Sequence, residues 1–95
     1  MATQVWTTSG SDMVTVTSAA TNIIAAQPDR TFYHVMISNG DSGSDLLYSL
    51  DGGSHWGRIE ADNSKSFDGV RIKNTNIQVK AIGSEIVSDV YAEAW

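Results

Sequence analysis

Only two side chains in this sequence, His34 and His55, are of the type that serves as a base at neutral pH. A serine or threonine nucleophile needs such a base within hydrogen-bond reach, and a third group to orient the base. His34 lies in mid-strand between Tyr33 and Val35, where a structural, hydrogen-bonded histidine is expected, and His55 stands exposed beside a hairpin. The carboxylates are single and mostly in loop-like stretches, so no acid and base pair is set to flank a bond. On these grounds the chain is expected not to be an enzyme, and no catalytic residue is named.

Metal and phosphate chemistry fail on spacing. The histidines are far apart, cysteine is absent, and no short-spaced pair of soft ligands exists. Asp41-Ser42-Gly43-Ser44-Asp45, with Asp51 after the next strand, offers oxygens to calcium but lacks the ordered ligand series and terminal glutamate of a calcium loop. Turn formation accounts for those aspartates. Gly52-Gly53 precedes a strand, whereas a phosphate-cradling loop opens a helix. No metal and no cofactor is expected. Arg30, Arg58, Lys65, Arg71, Lys73 and Lys80 are scattered in a chain of net charge −5, which argues against nucleic acid. No stretch is long and apolar enough for a bilayer, and Met1–Trp6 has neither the basic start nor the apolar run of a signal peptide. Synthesis in the cytoplasm is expected.

What remains is the placement of large apolar groups. Trp6 near the amino end, Trp56 just past a hairpin and Trp95 at the carboxyl end occupy positions that are often only partly buried. Tryptophan is enriched at interface hot spots because it joins a large apolar area to a donor. Phe32 and Met36, on the second apolar face of the strongest strand, join them as interface candidates. Trp56 and Tyr48 beside polar loops would also suit a small carbohydrate-binding module, whose site needs aromatic faces ringed by hydrogen-bonding groups.

The elements that must position these groups are short. Gly, Asn, Asp and Ser recur every several residues, leaving segments too short for stable helices and right for strands. The reading is all-β, a small antiparallel sandwich. A chain of 95 residues buries roughly two-thirds of its unfolded surface, enough for one domain, here 13–95, preceded by an extended arm over 1–12. Thr31 to Ser38 is the strongest strand, with Tyr33, Val35 and Ile37 on one face and Phe32, His34 and Met36 on the other. Both faces are apolar, so a central position is expected, with a second subunit or the arm on the outer side. A tight hairpin is expected at Asp51-Gly52-Gly53-Ser54, with a strand from His55 to Ile59, and a turn at Asp68-Gly69 before the strand Val70 to Lys73. Two stretches compete as helices: Ala19, Ala20, Ile23 and Ile24, and Ile86, Val87, Val90, Tyr91 and Ala94, lie at helical spacing. Strand is preferred for the second because Ile86, Val87 and Val90 are β-branched.

Read in order, Arg30-Thr31-Phe32-Tyr33-His34-Val35-Met36-Ile37-Ser38-Asn39-Gly40, then Leu47-Tyr48-Ser49-Leu50-Asp51-Gly52-Gly53, then Ser66-Phe67-Asp68-Gly69 and Ile77-Gln78-Val79-Lys80-Ala81 resemble a pattern of small tailed-phage virion structural proteins. The likeness runs from about Arg30 to Val90 and lies in rhythm more than in any diagnostic residue. It implies a β-sandwich or jelly-roll-like domain, often a dimer or trimer, found as head decoration or cement or as a tail, baseplate or fibre component. On that footing the partners would be the major capsid lattice and further copies of this chain, and the location the virion.

Overall fold

The computed structural model describes residues 6–7 and 13–95. Among them the chain forms β1 (Trp6–Thr7), β2 (Val14–Val16), β3 (Thr21–Ile24), β4 (Thr31–Asn39), β5 (Leu46–Ser49), β6 (Gly57–Ile59), β7 (Asn63–Lys73), β8 (Ile77–Ala81) and β9 (Val87–Ala94). One sheet runs β1-β9-β4-β7, with β2 following β1 along the same edge of β9; the other runs β3-β8-β5-β6. Every pairing is antiparallel. The fold is thus all-β, two antiparallel sheets packed as a sandwich.

The pairings are nested: β2 with β9, β3 with β8, β4 with β7 and β5 with β6. The chain is therefore one long antiparallel ribbon whose closed end is the β5–β6 hairpin. Folding the ribbon over brings β4 against β9 and β5 against β8. Between the sheets, Val16, Ile24, Phe32, Val35, Ile37, Leu46, Ile59, Ile77, Val79, Val87 and Val90 form one core. Fully burying a side chain of this kind contributes about 1.5–3 kcal/mol, and with no cysteine in the chain this packing carries the fold.

Three β-bulges correct the expected pattern. In β4, Phe32 pairs with Ile72 but His34 pairs with Asp68, so Gly69, Val70 and Arg71 stand against Tyr33 alone. Simple alternation groups Phe32 with His34 and Met36; the bulge instead turns Phe32 inward, where it is 2% exposed beside Val35 and Ile37. The turn expected at Asp68-Gly69 is this bulge, with Gly69 at φ 74, inside one continuous strand of 11 residues. In β3 the register shifts between Asn22 and Ile24, which lets adjacent Ile23 and Ile24 both reach the core. In β9 the register with β2 shifts between Val90 and Val87, with Asp89 at φ 56, and both valines point inward. Neither helix-like spacing is a helix: Ile23 and Ile24 lie in bulged β3 after a bend at Ala19, and the carboxyl-terminal segment is strand from Val87.

The arm expected over residues 1–12 lies outside the described residues except at Trp6–Thr7, where the backbone pairs with Ala94 and Glu93 of the same chain.

Candidate functional site

The chain between β5 and β6 winds around Asp51. Its Oδ1 accepts hydrogen bonds from Ser49 Oγ at 2.7 Å and from the backbone N–H groups of Ser54 at 3.1 Å and His55 at 3.0 Å. Its Oδ2 lies 2.6 Å from His55 Nδ1. Gly52 at φ 76 and Gly53 at φ 99 supply the left-handed conformations this winding requires. The result is wider than the expected tight turn, and β6 starts only at Gly57. A carboxylate able to collect nearby amides competes with cross-strand pairing, which explains the difference. These bonds, the Ser49 hydroxyl foremost, hold the Asp51 carboxyl well below the usual carboxylate range. An ionised carboxylate only accepts, so His55 Nδ1 carries the hydrogen and Nε2 is left for a ligand or water. The His55 side chain is 91% exposed.

Two aromatic rings beside this loop are held in place. Trp56 Nε1 donates to Gly53 O at 3.1 Å, and Lys80 Nζ lies 4.1 Å from the centre of its ring. Tyr48 packs against Phe67 with ring centres 5.1 Å apart and sits over Gly57, where a Cβ would collide with the phenol ring. The bulge in β7 brings Val70 and Arg71 up to the same place. Tyr48, Leu50, Asp51, His55, Trp56, Gly57, Val70, Arg71 and Ile72 thereby line an open groove of about 530 Å³. It crosses the mouth of the sandwich, from the β5–β6 loop on one sheet to the edge strand β7 on the other. A second hollow of about 290 Å³ on the same side, lined by Arg58, Ile59, Glu60, Asn63, Ser64 and Lys65, has no aromatic wall.

In the groove His55 has the orienting carboxylate that a general base needs. Among the described residues lining it there is no serine, threonine, cysteine or lysine to serve as nucleophile. The lining offers fixed aromatic surface, an oriented imidazole and a guanidinium.

The interface candidates do not form one patch. Met36 lies opposite Glu93, and two positions along the same ladder His34 and Trp95 exchange reciprocal backbone bonds, so Met36 and Trp95 share the outer face of the larger sheet. There the Trp95 ring stacks on His34 at 5.4 Å, and His34 Nδ1 lies 3.0 Å from Asp68 Oδ1. Tyr33, 48% exposed, adjoins them. On the neighbouring β9 the Tyr91 hydroxyl donates to Glu93, a bond that raises the phenol pKa. Trp56 belongs to the groove instead, and Phe32 to the core. Trp6 is placed by its backbone pairing with Ala94.

The aspartates considered for calcium are occupied by backbone. Asp41 Oδ2 accepts from Ser88 N at 2.9 Å and Ser88 Oγ at 3.0 Å, and Oδ1 from Gly43 N at 2.8 Å and Ser44 N at 3.0 Å. These bonds, the Ser88 amide first, lower its pKa to about 2. Asp45 accepts from Ala61 N at 2.9 Å. Among the described residues no group of His, Cys, Asp or Glu is arranged to hold a metal ion, and no helix is long and apolar enough to cross a membrane.

Sequence reasoning passed over the pairing of Asp51 with His55 and the part of Arg71 in the groove. Asp51 and His55 are four residues apart across a Gly-Gly pair, a spacing at which a wound loop lets them meet. For Arg71 no local signal exists, because its position depends on a bulge set by β4. Comparisons with protein-family models, with curated proteins and with solved structures return no match to this chain.

Proposed function

We propose that this chain is a non-enzymatic virion structural protein of a tailed phage, a jelly-roll domain that binds and reinforces the outer surface of an assembled capsid. The observation that carries the reading is the strand order. Eight strands, β2 to β9, pair first with last and so on inward, and fold into β2-β9-β4-β7 over β3-β8-β5-β6. This nested order supports a jelly-roll winding, an architecture recurrent in capsid proteins and lectins. The resemblance of Arg30 to Val90 to small tailed-phage proteins selects the virion from among its uses. A decoration domain needs a compact body and docking surface but no reaction centre. The outer face carrying Tyr33, Met36 and Trp95 supplies apolar contact area for the shell or for a further copy in a symmetric oligomer.

The test is to mix the purified chain with phage shells that lack it and follow uptake by sedimentation. Saturable, stoichiometric binding to shells is expected. Binding to tails in place of shells would move the protein to the tail or baseplate, and binding to neither would overturn the virion reading.

A further inference from the structure

We infer that the groove between the β5–β6 loop and the bulge of β7 is a binding site for a neutral saccharide. The inference stands apart from the virion reading, since it uses only the groove.

A sugar ring presents a flat face of C–H groups and a rim of hydroxyls. Its site therefore needs aromatic surface with donors and acceptors at the edge. This groove has both. Trp56 and Tyr48 belong to its lining, and each ring is immobilised before any ligand arrives. Trp56 is held by Gly53 O at 3.1 Å and by Lys80 at 4.1 Å, and Tyr48 by Phe67 at 5.1 Å and by its close seat on Gly57. Rings already fixed lose little entropy on binding. The polar rim comes from both sheets. His55 Nε2 is the ring nitrogen left open by the 2.6 Å bond to Asp51, and Arg71 projects guanidinium donors from the other wall. A volume of about 530 Å³ in an open trough suits a short oligosaccharide lying lengthwise.

Charge selects the neutral class. Asp51 is ionised at the groove and offsets part of the charge of Arg71 and Lys80, while the whole chain carries −5, so the long-range field disfavours an anionic sugar. The bulge adds a separate argument. Three residues of β7 facing one of β4 forfeit regular ladder bonds, and bulges of this kind re-aim side chains at binding sites.

The experiment is ¹H–¹⁵N NMR of the full chain titrated with neutral trisaccharides of glucose, galactose, mannose and N-acetylglucosamine, with sialyllactose as the acidic arm. At least one neutral sugar is expected to shift the Trp56 indole and the Gly57 and Arg71 amides saturably at up to ~10 mM. Arg71→Ala, an exposed change, and Trp56→Ala should each weaken that binding by about tenfold. Trp56→Phe, which keeps a ring, should weaken it less and guards against a folding defect in the alanine variant. Absence of groove shifts with every sugar, shifts confined to another surface, or undiminished binding by Arg71→Ala would overturn the site. Binding of sialyllactose alone would overturn the neutral class.

Discussion

Replacing Asn39 by alanine should remove a large part of this domain's stability. Asn39 is 1% exposed at the end of β4. Its Nδ2 donates toward Ser44 O at 2.9 Å, Ile59 O at 3.3 Å and Glu60 O at 3.3 Å, and its Oδ1 accepts from Asp41 N at 3.0 Å. One side chain thus ties β4, the loop after it and the end of β6. In Asn39→Ala the Ile59 carbonyl, the buried member of the set, loses this donor, at about 1–3 kcal/mol. The half-buried bonds add about 1 kcal/mol each, less where water replaces them. The sum is about 3–5 kcal/mol, against a total of about 5–14 kcal/mol for a domain this size. Urea unfolding followed by tryptophan fluorescence should show a lower midpoint at an unchanged m-value. Asn39→Asp supplies a control of opposite polarity. A carboxyl facing carbonyl oxygens in the interior has its folded pKa raised above about 3.9. The folded variant then binds more protons than the unfolded one, so its deficit relative to wild type widens as pH rises from about 4 to 7. An Asn39→Ala loss below about 1 kcal/mol, or an Asn39→Asp deficit independent of pH, would refute the role given to this network.

Two further outcomes follow from the same geometry. Gly57→Ala forces the Tyr48 ring off its seat, and overpacking of this kind should lower Tm by roughly 5–20 °C, read by calorimetry. The carboxyls of Asp41, lowered from 3.8 to about 2, and of Asp51, also below its ordinary value, bind protons more weakly folded than unfolded. Their contribution is therefore complete above about pH 4 and lost as pH falls toward 2, so the unfolding midpoint should drop over that window. Asp41→Asn should flatten the drop.

The sequence is most legible where the chain obeys a period of two. Val35 and Ile37 in β4, Leu46 and Tyr48 in β5, and Ile77, Val79 and Ala81 in β8 alternate, and all point between the sheets as their spacing requires. It misleads where a bulge shifts the period. Val87 and Val90 stand three apart, and Ile23 and Ile24 are adjacent, so both mimic one face of a helix although an extra residue in a strand produces the same result. Phe32 fails as an interface candidate for the same reason. A bulge is fixed by the register of two strands distant in the chain, β4 and β7, and no local window contains that information. The site is divided the same way. Tyr48, Trp56 and the Asp51 loop are neighbours in sequence and could be grouped from it, whereas Arg71 enters the groove only through tertiary pairing.

The bulge opposite Tyr33 also joins the two surfaces that matter here. On the β9 side, the Tyr33 and His34 amides both donate to Trp95 O, at 2.9 and 3.0 Å, which clasps the end of the chain to the outer face. On the β7 side, the same irregularity is answered by the excursion of Gly69 to Arg71 that builds one wall of the groove. A regular ladder would have kept Phe32 with Met36 on the outer face, enlarging it at the expense of the core, and would have given Arg71 no reason to project at the mouth. The bulge forfeits some backbone pairing, offset by the burial of Phe32. In return the apolar face and the polar, aromatic groove are kept distinct, one on the flank of the larger sheet and one at the β6–β7 edge. The two surfaces share no residue: Tyr33, Met36 and Trp95 belong to the first, and Tyr48, Trp56 and Arg71 to the second.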